Sequence, residues 1–305
     1  MMKSSFDVII IGGSYAGLSA ALALGRSVRQ VLIIDSGKPC NRQTPHSHNF
    51  ITQDGKTPQA ISQLAKEQVQ AYPGIQFIDA VATRGFRTPE GFGIETEAGA
   101  AFMAKKLLFA TGLEDVMPQI EGFAACWGKS IIHCPYCHGY EVRGQKTAIL
   151  ANGDVAVHMA TLVNHWTKRL LLLTNGPSSL KPEQAALLKN KGIEIIEKKI
   201  SHFEHYQGQL KKVFFEDDSQ LDVPVLYARI PFRQKSGIPE QLGCALTENG
   251  LIVVDQLQKT TVPGIYAAGD NSNPMRAVSM AVAAGTMAGA GINMEMISEG
   301  EAVAH

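Results

Sequence analysis

The pattern of apolar and polar positions at the start of the chain predicts a strand, a turn and a helix. The apolar run from Phe6 to Ile11 suits a short buried strand, and Gly12-Gly13-Ser14-Tyr15-Ala16-Gly17 follows it. The apolar-rich stretch Leu18 to Leu24 then fits a helix, and a second strand, Val31 to Ile34, ends on Asp35. This order predicts a βαβ unit of the dinucleotide-binding type.

The turn in this unit has residues that suit a pyrophosphate. In such units, backbone N–H groups at the helix start face the phosphates, and an acid after the second strand accepts a ribose hydrogen bond. Gly12, Gly17 and Asp35 match that pattern, with Asp35 lying 23 residues after Gly12. Ser14 occupies the second glycine position. On this motif alone, an ordinary glycine turn therefore stays open.

The same pattern recurs 139 residues further along the chain. Residues 146–175 align with the first unit without a gap and predict a strand at 148–150, a helix at 155–163 and a strand at 170–173. A repeated βαβ unit predicts two dinucleotide-type domains, one inserted in the other or following it.

The second copy has lost the residues that would contact a nucleotide. Its turn reads Ala151-Asn152-Gly153-Asp154-Val155-Ala156, so the first glycine is absent and Asp154 stands where a pyrophosphate would arrive. Thr174 replaces the acid of the first copy, and no arginine for a 2′-phosphate accompanies it. The pattern predicts a retained fold and puts NADPH use in doubt.

Three further landmarks complete the first domain. The strand from Leu107 ends on Thr111 and Gly112, and the strand from Gly264 runs into Asp270. The stretch Ala277 to Ala290 is rich in small residues and predicts a helix that packs closely against a backbone or a ligand.

These elements predict an α/β protein with two doubly wound, Rossmann-like domains. Residues 1–112 and 236–305 would form a discontinuous first domain. Residues 113–235 would form a smaller inserted domain of the NAD(P)-binding type.

Composition narrows the class of partner. The chain has 305 residues, and its 28 Lys and Arg residues balance 28 Asp and Glu residues. Nucleic-acid and membrane surfaces normally require a basic surplus, so we expect neither partner. No segment approaches the roughly 18 apolar residues of a membrane span, and the start lacks a signal-peptide pattern. We therefore expect a cytoplasmic protein.

The segment His133-Cys134-Pro135-Tyr136-Cys137-His138-Gly139-Tyr140-Glu141 carries the most specific chemical signal. Two cysteines separated by two residues can close a disulfide, and a thiolate at one of them makes exchange fast. An adjacent histidine could promote the thiolate or carry the released proton. The segment predicts a redox-active pair. Cys40, Cys126 and Cys244 have no spacing that suggests chemistry.

Three other interpretations of this segment stay open. C-x-x-C-H is also the attachment signature of c-type haem, although that chemistry normally belongs to small helical folds. Two cysteines and a histidine could bind zinc, but no second pair at finger spacing follows, and we predict no metal. The cysteines could also be inert and buried, which Pro135 and the polar flanks disfavour.

Together, these motifs resemble the low-molecular-weight thioredoxin reductase family. The resemblance rests on G-G-S-x-A-G, A-T-G, C-x-x-C and G-x-Y-A-A-G-D in that order, and it spans essentially the whole chain. The sequence Cys-Pro-Tyr-Cys-His-Gly-Tyr-Glu is similar to one branch, the gliotoxin and holomycin oxidases, which close disulfides in epidithio and dithiolopyrrolone compounds. In that branch, histidine replaces the aspartate that follows the second cysteine.

The resemblance implies a homodimer with FAD as the cofactor. Cys137 would pass electrons to the flavin, Cys134 would be the interchange thiol that attacks the substrate, and His138 would be the acid–base residue. The residues implied to hold FAD are Gly12, Ser14, Gly17, Asp35, Arg42, His48, Thr111, Gly112, Asp270, Ala277 and Val278. His46 and His48 fall where the family wraps a loop over the isoalloxazine, and they either line the flavin pocket or lie in a surface loop.

We therefore expect an FAD-dependent thiol–disulfide oxidoreductase that oxidises dithiols, with oxygen or another acceptor reoxidising the flavin. Its partner would be a small-molecule dithiol or disulfide, or a thioredoxin-like protein. One alternative is a disulfide reductase fed by NADPH, ferredoxin or another donor. The other is a redox-sensing flavoprotein that is not an enzyme.

Overall fold

The computed structural model describes residues 5–303, with side chains described to residue 300. The chain divides into two compact units. Unit 1 consists of residues 1–42, 56–114 and 232–305, and unit 2 consists of residues 43–55 and 115–231.

Unit 1 contains the first βαβ element and the end of the chain. Its elements, with β7 ending at the boundary, are β1 (Ser5–Ile11), α1 (Tyr15–Arg26), β2 (Val31–Asp35), α2 (Pro58–Gln70), β3 (Ile75–Asp79), β4 (Ala82–Thr88), β5 (Gly91–Thr96), β6 (Ala101–Phe109), β7 (Leu113–Asp115), β16 (Phe232–Gln234), α7 (Ile238–Gln241), β17 (Ile265–Ala267) and α8 (Val278–Val303).

Unit 2 contains the repeated βαβ element. Its elements are α3 (Phe123–Cys126), β8 (Ile131–Ile132), α4 (Pro135–His138), β9 (Thr147–Leu150), α5 (Gly153–Val163), β10 (Leu170–Leu173), α6 (Pro182–Asn190), β11 (Glu194–Ile196), β12 (Ile200–Tyr206), β13 (Gln209–Phe215), β14 (Gln220–Asp222) and β15 (Val225–Ala228).

Unit 1 has a mixed sheet and unit 2 a parallel sheet, and the strand order of each includes crossovers. In unit 1 the order is β3-β2-β1-β6-β5-β4, and β17 also pairs with β6. The first half of β6 pairs antiparallel with β5, while its second half pairs parallel with β17. In unit 2 the order is β11-β10-β9-β15-β8, beside a separate antiparallel sheet β12-β13-β14. The predicted α/β class and both predicted βαβ units are confirmed.

The central strands β1 and β2 of unit 1 are apolar on both faces because each face is covered. Val8 and Ile10 of β1 belong to one buried cluster, and Ile9 and Ile11 belong to the other. The alternation follows from the two-residue period of a strand. A sheet covered on both sides requires continuous apolar runs, which explains the run that begins at Phe6.

The last helix, α8, packs backbone to backbone on α1. A Cβ added to Gly285 would collide with the carbonyl oxygen of Ala16, and one added to Gly289 would lie 2.8 Å from that of Ala20. The Ser19 hydroxyl donates to the Val282 carbonyl at 2.7 Å. The small residues of this helix therefore serve close helix packing.

The predicted bounds of this helix, 277–290, were wrong, because α8 begins at Val278 and continues to Val303. Its last turns hold the buried Lys106 ammonium, which donates to Glu295 at 2.6 Å and to Glu299 at 2.5 Å. Burial alone would raise the pKa of Glu295, but hydrogen bonds from Lys106, Lys259 and Tyr266 lower it to about 2. These partners keep the helix ordered beyond its small-residue stretch.

The unit boundaries differ in one place from the domains expected from sequence. Residues 43–55, expected within the segment 1–112, group with unit 2. One contact of this segment within unit 2 joins His48 to Glu141, whose Nε2 and Oε1 atoms lie 3.6 Å apart. The other boundaries lie within four residues of the expected ones. Within residues 5–303, α8 included, no helix combines the length and hydropathy that a bilayer crossing demands.

Candidate active site

The turn between β1 and α1 has no room for side chains at Gly12 or Gly17. Gly12 has a φ of 107°, and a Cβ there would collide with the backbone of Ala110. A Cβ at Gly17 would collide with the carbonyl oxygen of Gly12. Ser14 is the N-cap of α1, and its side chain makes no capping hydrogen bond. The turn thus presents the start of a 12-residue helix, the arrangement that suits a pyrophosphate.

Asp35 ends β2 beside this turn. Its Oδ1 accepts a hydrogen bond from the backbone N–H of Gly13 at 3.0 Å. The carboxylate therefore braces the turn, and its second oxygen could accept a ribose hydroxyl. The contact with ribose stays a prediction.

Asn271, which sequence reasoning did not single out, ties together the ends of β6 and β17. Its buried Nδ2 donates to the Phe109 carbonyl at 2.8 Å and to the Thr111 hydroxyl at 3.4 Å. Its Oδ1 is buried and has no hydrogen-bond partner among the residues that the structure describes. A buried acceptor without a donor is costly, so this atom fits a site completed by a hydroxyl-bearing ligand. In the sequence, the feature that could have indicated this role is the position of Asn271 directly after Asp270.

Among the remaining predicted FAD residues of unit 1, Asp270 lies beside an unpredicted cation, Arg276. Its Nε lies 3.5 Å from Oδ2 of Asp270, and a terminal nitrogen donates to Sγ of Cys40 at 3.0 Å. Ala277 and Val278 follow Arg276, with Val278 as the first residue of α8. Gly112 has a φ of 66°, and Arg42 is exposed and donates to the Pro39 carbonyl at 3.1 Å.

These features fit FAD, and we expect the purified protein to be yellow and to carry FAD rather than FMN. The ribose that Asp35 would hold belongs to the adenosine half, which FMN lacks. Asp35→Asn should weaken FAD retention by roughly 10- to 100-fold, because a hydrogen bond to a charged group contributes about 1.5–3 kcal/mol. Mass spectrometry of the released cofactor and a dilution series check both points.

The matched control is Asp79→Asn, which removes an exposed carboxylate from the neighbouring strand β3. It should retain FAD as the unaltered protein does. Release of FMN, or well-folded protein without flavin, would contradict the assignment of this turn.

Cys134 and Cys137 form a disulfide in unit 2, with their Cα atoms 5.3 Å apart. The short helix α4 sets this spacing, since Pro135 occupies its first position, where no N–H donor is needed. Sγ of Cys134 accepts a hydrogen bond from the Cys137 N–H at 3.2 Å. Both cysteines are half-buried, which argues against inert core positions and leaves the bond open to an attacking thiol.

His138 directly follows the disulfide in the sequence and ends the short helix α4. Burial lowers the pKa of His138 below its usual value, and by smaller amounts Glu141 raises it and His48 lowers it. Nε2 of His48 lies 3.6 Å from Oε1 of Glu141, and Nδ1 of His48 lies 3.6 Å from Oδ1 of Asp54. His48 therefore lies between two carboxylates of its own unit. Across residues 5–303, no group of three or more His, Cys, Asp or Glu side chains could hold a metal ion.

Exposed aromatic side chains flank the disulfide. The Tyr136 side chain, between the two cysteines, is 65% exposed and meets the Trp166 ring edge-on, with centroids 5.7 Å apart. Tyr140 is 67% exposed, and the Arg143 guanidinium lies 3.8 Å from the centroid of its ring. The surface beside the sulfurs therefore offers apolar rings to an organic substrate.

The second βαβ turn is filled by its own side chains. Oδ1 of Asn152 accepts the backbone N–H of Gly153 at 2.9 Å and that of Ser179 at 2.8 Å, and its Nδ2 donates to the Pro177 carbonyl at 3.0 Å. Oδ1 of Asp154 accepts from Gln184 at 2.7 Å. The backbone N–H of Gly153 and the carboxylate of Asp154 at this turn therefore already have hydrogen-bond partners within the chain.

In the second βαβ copy, Thr174 stands where the first copy has Asp35, and its hydroxyl is also hydrogen-bonded within the chain. Thr174 is buried and its hydroxyl donates to the Gly176 carbonyl at 2.6 Å. The residue therefore stabilises the end of β10 internally.

The remaining cysteines form no disulfide. Cys126 and Cys244 are buried, and burial raises the pKa of both thiols. Neither has the thiolate character that exchange chemistry requires. Cys40 is half-buried and contacts Arg276, as described above.

Comparison with known proteins agrees with this geometry. The chain matches the family model for pyridine nucleotide-disulphide oxidoreductases over residues 6–285. The thioredoxin reductase tcpT of Claviceps purpurea is 34% identical over 304 residues, which cover 96% of this chain and 95% of the relative. The thioredoxin reductase sirT of Leptosphaeria maculans is 34% identical over 311 residues, with the same coverages.

Solved structures show the same relationship. The crystal structure of HlmI matches with a TM-score of 0.94 and 30% identity, covering 100% of this chain and 96% of that chain. An oxidoreductase from Agrobacterium tumefaciens matches with a TM-score of 0.90 and 36% identity, covering 96% of this chain and 99% of that chain.

The chain belongs to the pyridine nucleotide-disulphide oxidoreductase family. It is a thioredoxin reductase-like oxidoreductase that acts on sulfur groups, as the resemblance of its motifs implied. FAD is the cofactor of this group, and its thioredoxin reductases also use NADPH.

Proposed function

We propose that this protein is an FAD-dependent dithiol oxidase that converts a small-molecule dithiol into a disulfide. The observation that carries the proposal is the contrast within unit 2. Its Cys134–Cys137 disulfide is accessible and lies beside His138, whereas its nucleotide turn is occupied by Asn152. Thiols can therefore reach the redox pair, while the turn that would bind NADPH lacks its first glycine and has the Gly153 N–H already bonded to Asn152, which puts NADPH use in doubt.

The proposed exchange balances atoms and electrons on the residues of the chain. The first substrate thiol gives its proton to His138. Its sulfur then bonds to Sγ of Cys134 as the Cys134–Cys137 bond breaks, and Cys137 leaves as a thiolate. The second substrate sulfur then bonds to the first and releases Cys134, which takes the second proton. The substrate gains one S–S bond, and two electrons pass to the cysteine pair.

His138 suits the role of base in this exchange. Burial holds its pKa below the usual value, so the imidazole is neutral and able to accept a proton at neutral pH. FAD, when bound, would supply the acceptor for the electron pair of Cys137, and oxygen or another acceptor would be the final oxidant. Gly12, Ser14 and Asp35 are proposed to hold its pyrophosphate and adenosine.

The test is anaerobic reduction of the flavin by dithiothreitol, NADPH and NADH in separate cuvettes. We expect bleaching by the dithiol and oxygen consumption once air is admitted. Well-folded holoprotein that no dithiol bleaches would refute both enzymatic functions and favour a redox-sensing flavoprotein.

A second candidate function is a disulfide reductase, and the naming of the relatives tcpT and sirT as thioredoxin reductases favours it. In that direction, ferredoxin, NADPH or another donor would reduce the flavin, and a thioredoxin-like protein would be the partner. We also propose that the protein is cytoplasmic and that it forms a homodimer. The homodimer is implied by the family resemblance.

We expect NADPH to reduce the flavin far more slowly than dithiols do. A carboxylate such as Asp154 near a phosphate costs on the order of 1 kcal/mol in water, and each lost charge-assisted hydrogen bond forgoes about 1.5–3 kcal/mol. Since each 1.4 kcal/mol is tenfold, NADPH binding should be about 100-fold weaker, or more, than at an intact site. Stopped-flow reduction by micromolar NADPH at the rate of turnover would overturn this prediction and support the reductase.

A further inference from the structure

Four cations of unit 2 lie on two neighbouring backbone segments. The segments 143–147 and 166–169 lie side by side, because the Thr147 N–H donates to the Arg169 carbonyl at 2.9 Å. We call their four cations the basic surface: Arg143, Lys146, Lys168 and Arg169. All four side chains are exposed or partly exposed. The basic surface is thus a local excess of positive charge in a chain whose charges balance overall.

The basic surface has no carboxylate partner among the residues that the structure describes. Elsewhere in unit 2, Lys198 pairs with Asp217 at 2.8 Å, whereas none of the four cations forms such an ion pair. The three cations other than Arg143 line a pocket of about 320 Å³, which Glu194 also lines. This volume is at the small end of ligand pockets, and unpaired cations in a cleft concentrate anions. The pocket therefore suits a small molecule that carries negative charge.

Arg143 connects the basic surface to the disulfide segment. Its Nη1 donates to the Tyr140 carbonyl at 2.5 Å, and its guanidinium lies 3.8 Å from the centroid of that ring. Tyr140 follows Cys137 by three residues, so their Cα atoms are at most about 11 Å apart. The Trp166 ring, from the second backbone segment, meets the ring of Tyr136 between the two cysteines. A dithiol that reaches the disulfide therefore enters the field of these cations, which extends about 10 Å at 0.1 M salt.

We propose that the dithiol substrate carries a negatively charged group, such as a carboxylate, which Arg143 binds beside the disulfide. The proposal rests on the proposed function, because it names the class of substrate for that exchange. A guanidinium presents its donors in a planar fork that matches a carboxylate. Among the described residues, the Tyr140 carbonyl is the one acceptor for this guanidinium, so most of its five N–H donors remain for a ligand.

Two carboxylates near the basic surface oppose this attraction without cancelling it. Glu194 lines the pocket, and Glu141 precedes Arg143 by two residues and contacts His48 at 3.6 Å. Four cations outnumber these two acids, so the surface stays positive. Binding of an anion should weaken in salt, because the Debye length falls from about 30 Å at 0.01 M to about 3 Å at 1 M.

The test compares lipoate with lipoamide, which differ by a carboxylate against a carboxamide. Both are disulfides, so neither reduces the oxidised holoprotein, and binding is measured without turnover. Lipoate should bind about 10-fold more tightly, the lower range for a hydrogen bond to a charged group. The readout is the NMR signal of the Trp166 indole N–H. The other tryptophan, Trp127, is buried and donates to Asp115 at 3.1 Å, so its signal should stay in place.

Variants of Arg143 separate its charge from its shape. Arg143→Gln should remove most of the preference for lipoate, and Arg143→Lys, which keeps the charge but loses the fork, should retain part of it. The matched control is Lys211→Gln, which removes an exposed cation from β13 in the same unit and should keep the full preference. Anaerobic flavin reduction by dihydrolipoate and dihydrolipoamide should follow the same order.

A preference for lipoate that falls in Arg143→Gln and in about 1 M salt supports the proposal. Equal binding of the two compounds, no binding of lipoate, or a preference that survives both changes overturns it. Dithiols that bleach the flavin regardless of their charge would leave the proposed function standing and refute this inference. If no dithiol bleaches the flavin, the proposed function fails, and the binding comparison still decides whether this surface selects anions.

Discussion

Replacing either Cys134 or Cys137 with serine should lower dithiol turnover by about 10³-fold or more. Neither variant can form the disulfide that accepts the substrate's electrons, and loss of a covalent participant removes most of an enzyme's rate enhancement. The matched control is Cys244→Ser, a buried cysteine whose Sγ lies 3.5 Å from the Thr260 hydroxyl, a contact that serine can keep. Oxygen consumption with dithiothreitol measures the effect.

The two single variants also separate the proposed roles of the cysteines. With Cys137→Ser, the interchange thiol Cys134 remains and should form a stable mixed disulfide with an aryl disulfide reagent, releasing a coloured thiolate. With Cys134→Ser, this capture should be much slower. The reverse order would exchange the two roles, and undiminished turnover in both variants would disprove the electron route.

Replacing His138 with alanine should slow thiol–disulfide exchange by roughly 10²- to 10⁴-fold, the usual contribution of a positioned base. FAD should stay bound, because His138 lies outside the glycine turn that is proposed to hold it. The matched control is His158→Ala, which removes an exposed histidine from α5. The measurement is the anaerobic rate of dithiol reduction, followed as a function of pH.

The sign of the pH dependence follows from the pKa of His138, which burial lowers. The neutral base exists above that pKa, so the rate should persist to a lower pH than an ordinary imidazole would allow and fall as His138 becomes protonated. In His138→Ala this acid limb should disappear. An unchanged rate and profile would leave His138 with a packing role only.

Local patterns predicted the elements that build the fold. The strand from Phe6, the glycine turn and the repeat at 146–175 depend on periodicity and turn chemistry, which act over a few residues. The positions of Cys134 and Cys137 could be predicted for the same reason, since α4 closes their spacing within four residues.

Contacts between distant parts of the chain could not be predicted in this way. Asn271 acts on Phe109, 162 residues away, and His48 meets Glu141 from a segment expected in the other domain. The end of α8 depends on Lys106, which lies 189 residues before Glu295. Such pairings leave no periodic trace in the sequence, because each depends on how separate elements are brought together.

The packing of α8 on α1 has a consequence for synthesis on the ribosome. The backbone of α1 rests against Gly285 and Gly289, which are translated more than 250 residues after Ala16 and Ala20. The helix that supports the glycine turn is therefore translated last. By contrast, all residues that form the core of unit 2 have been translated by residue 231. The face of α1 that contacts α8 therefore has no partner in the nascent chain throughout that interval, and it is covered only when the last helix arrives.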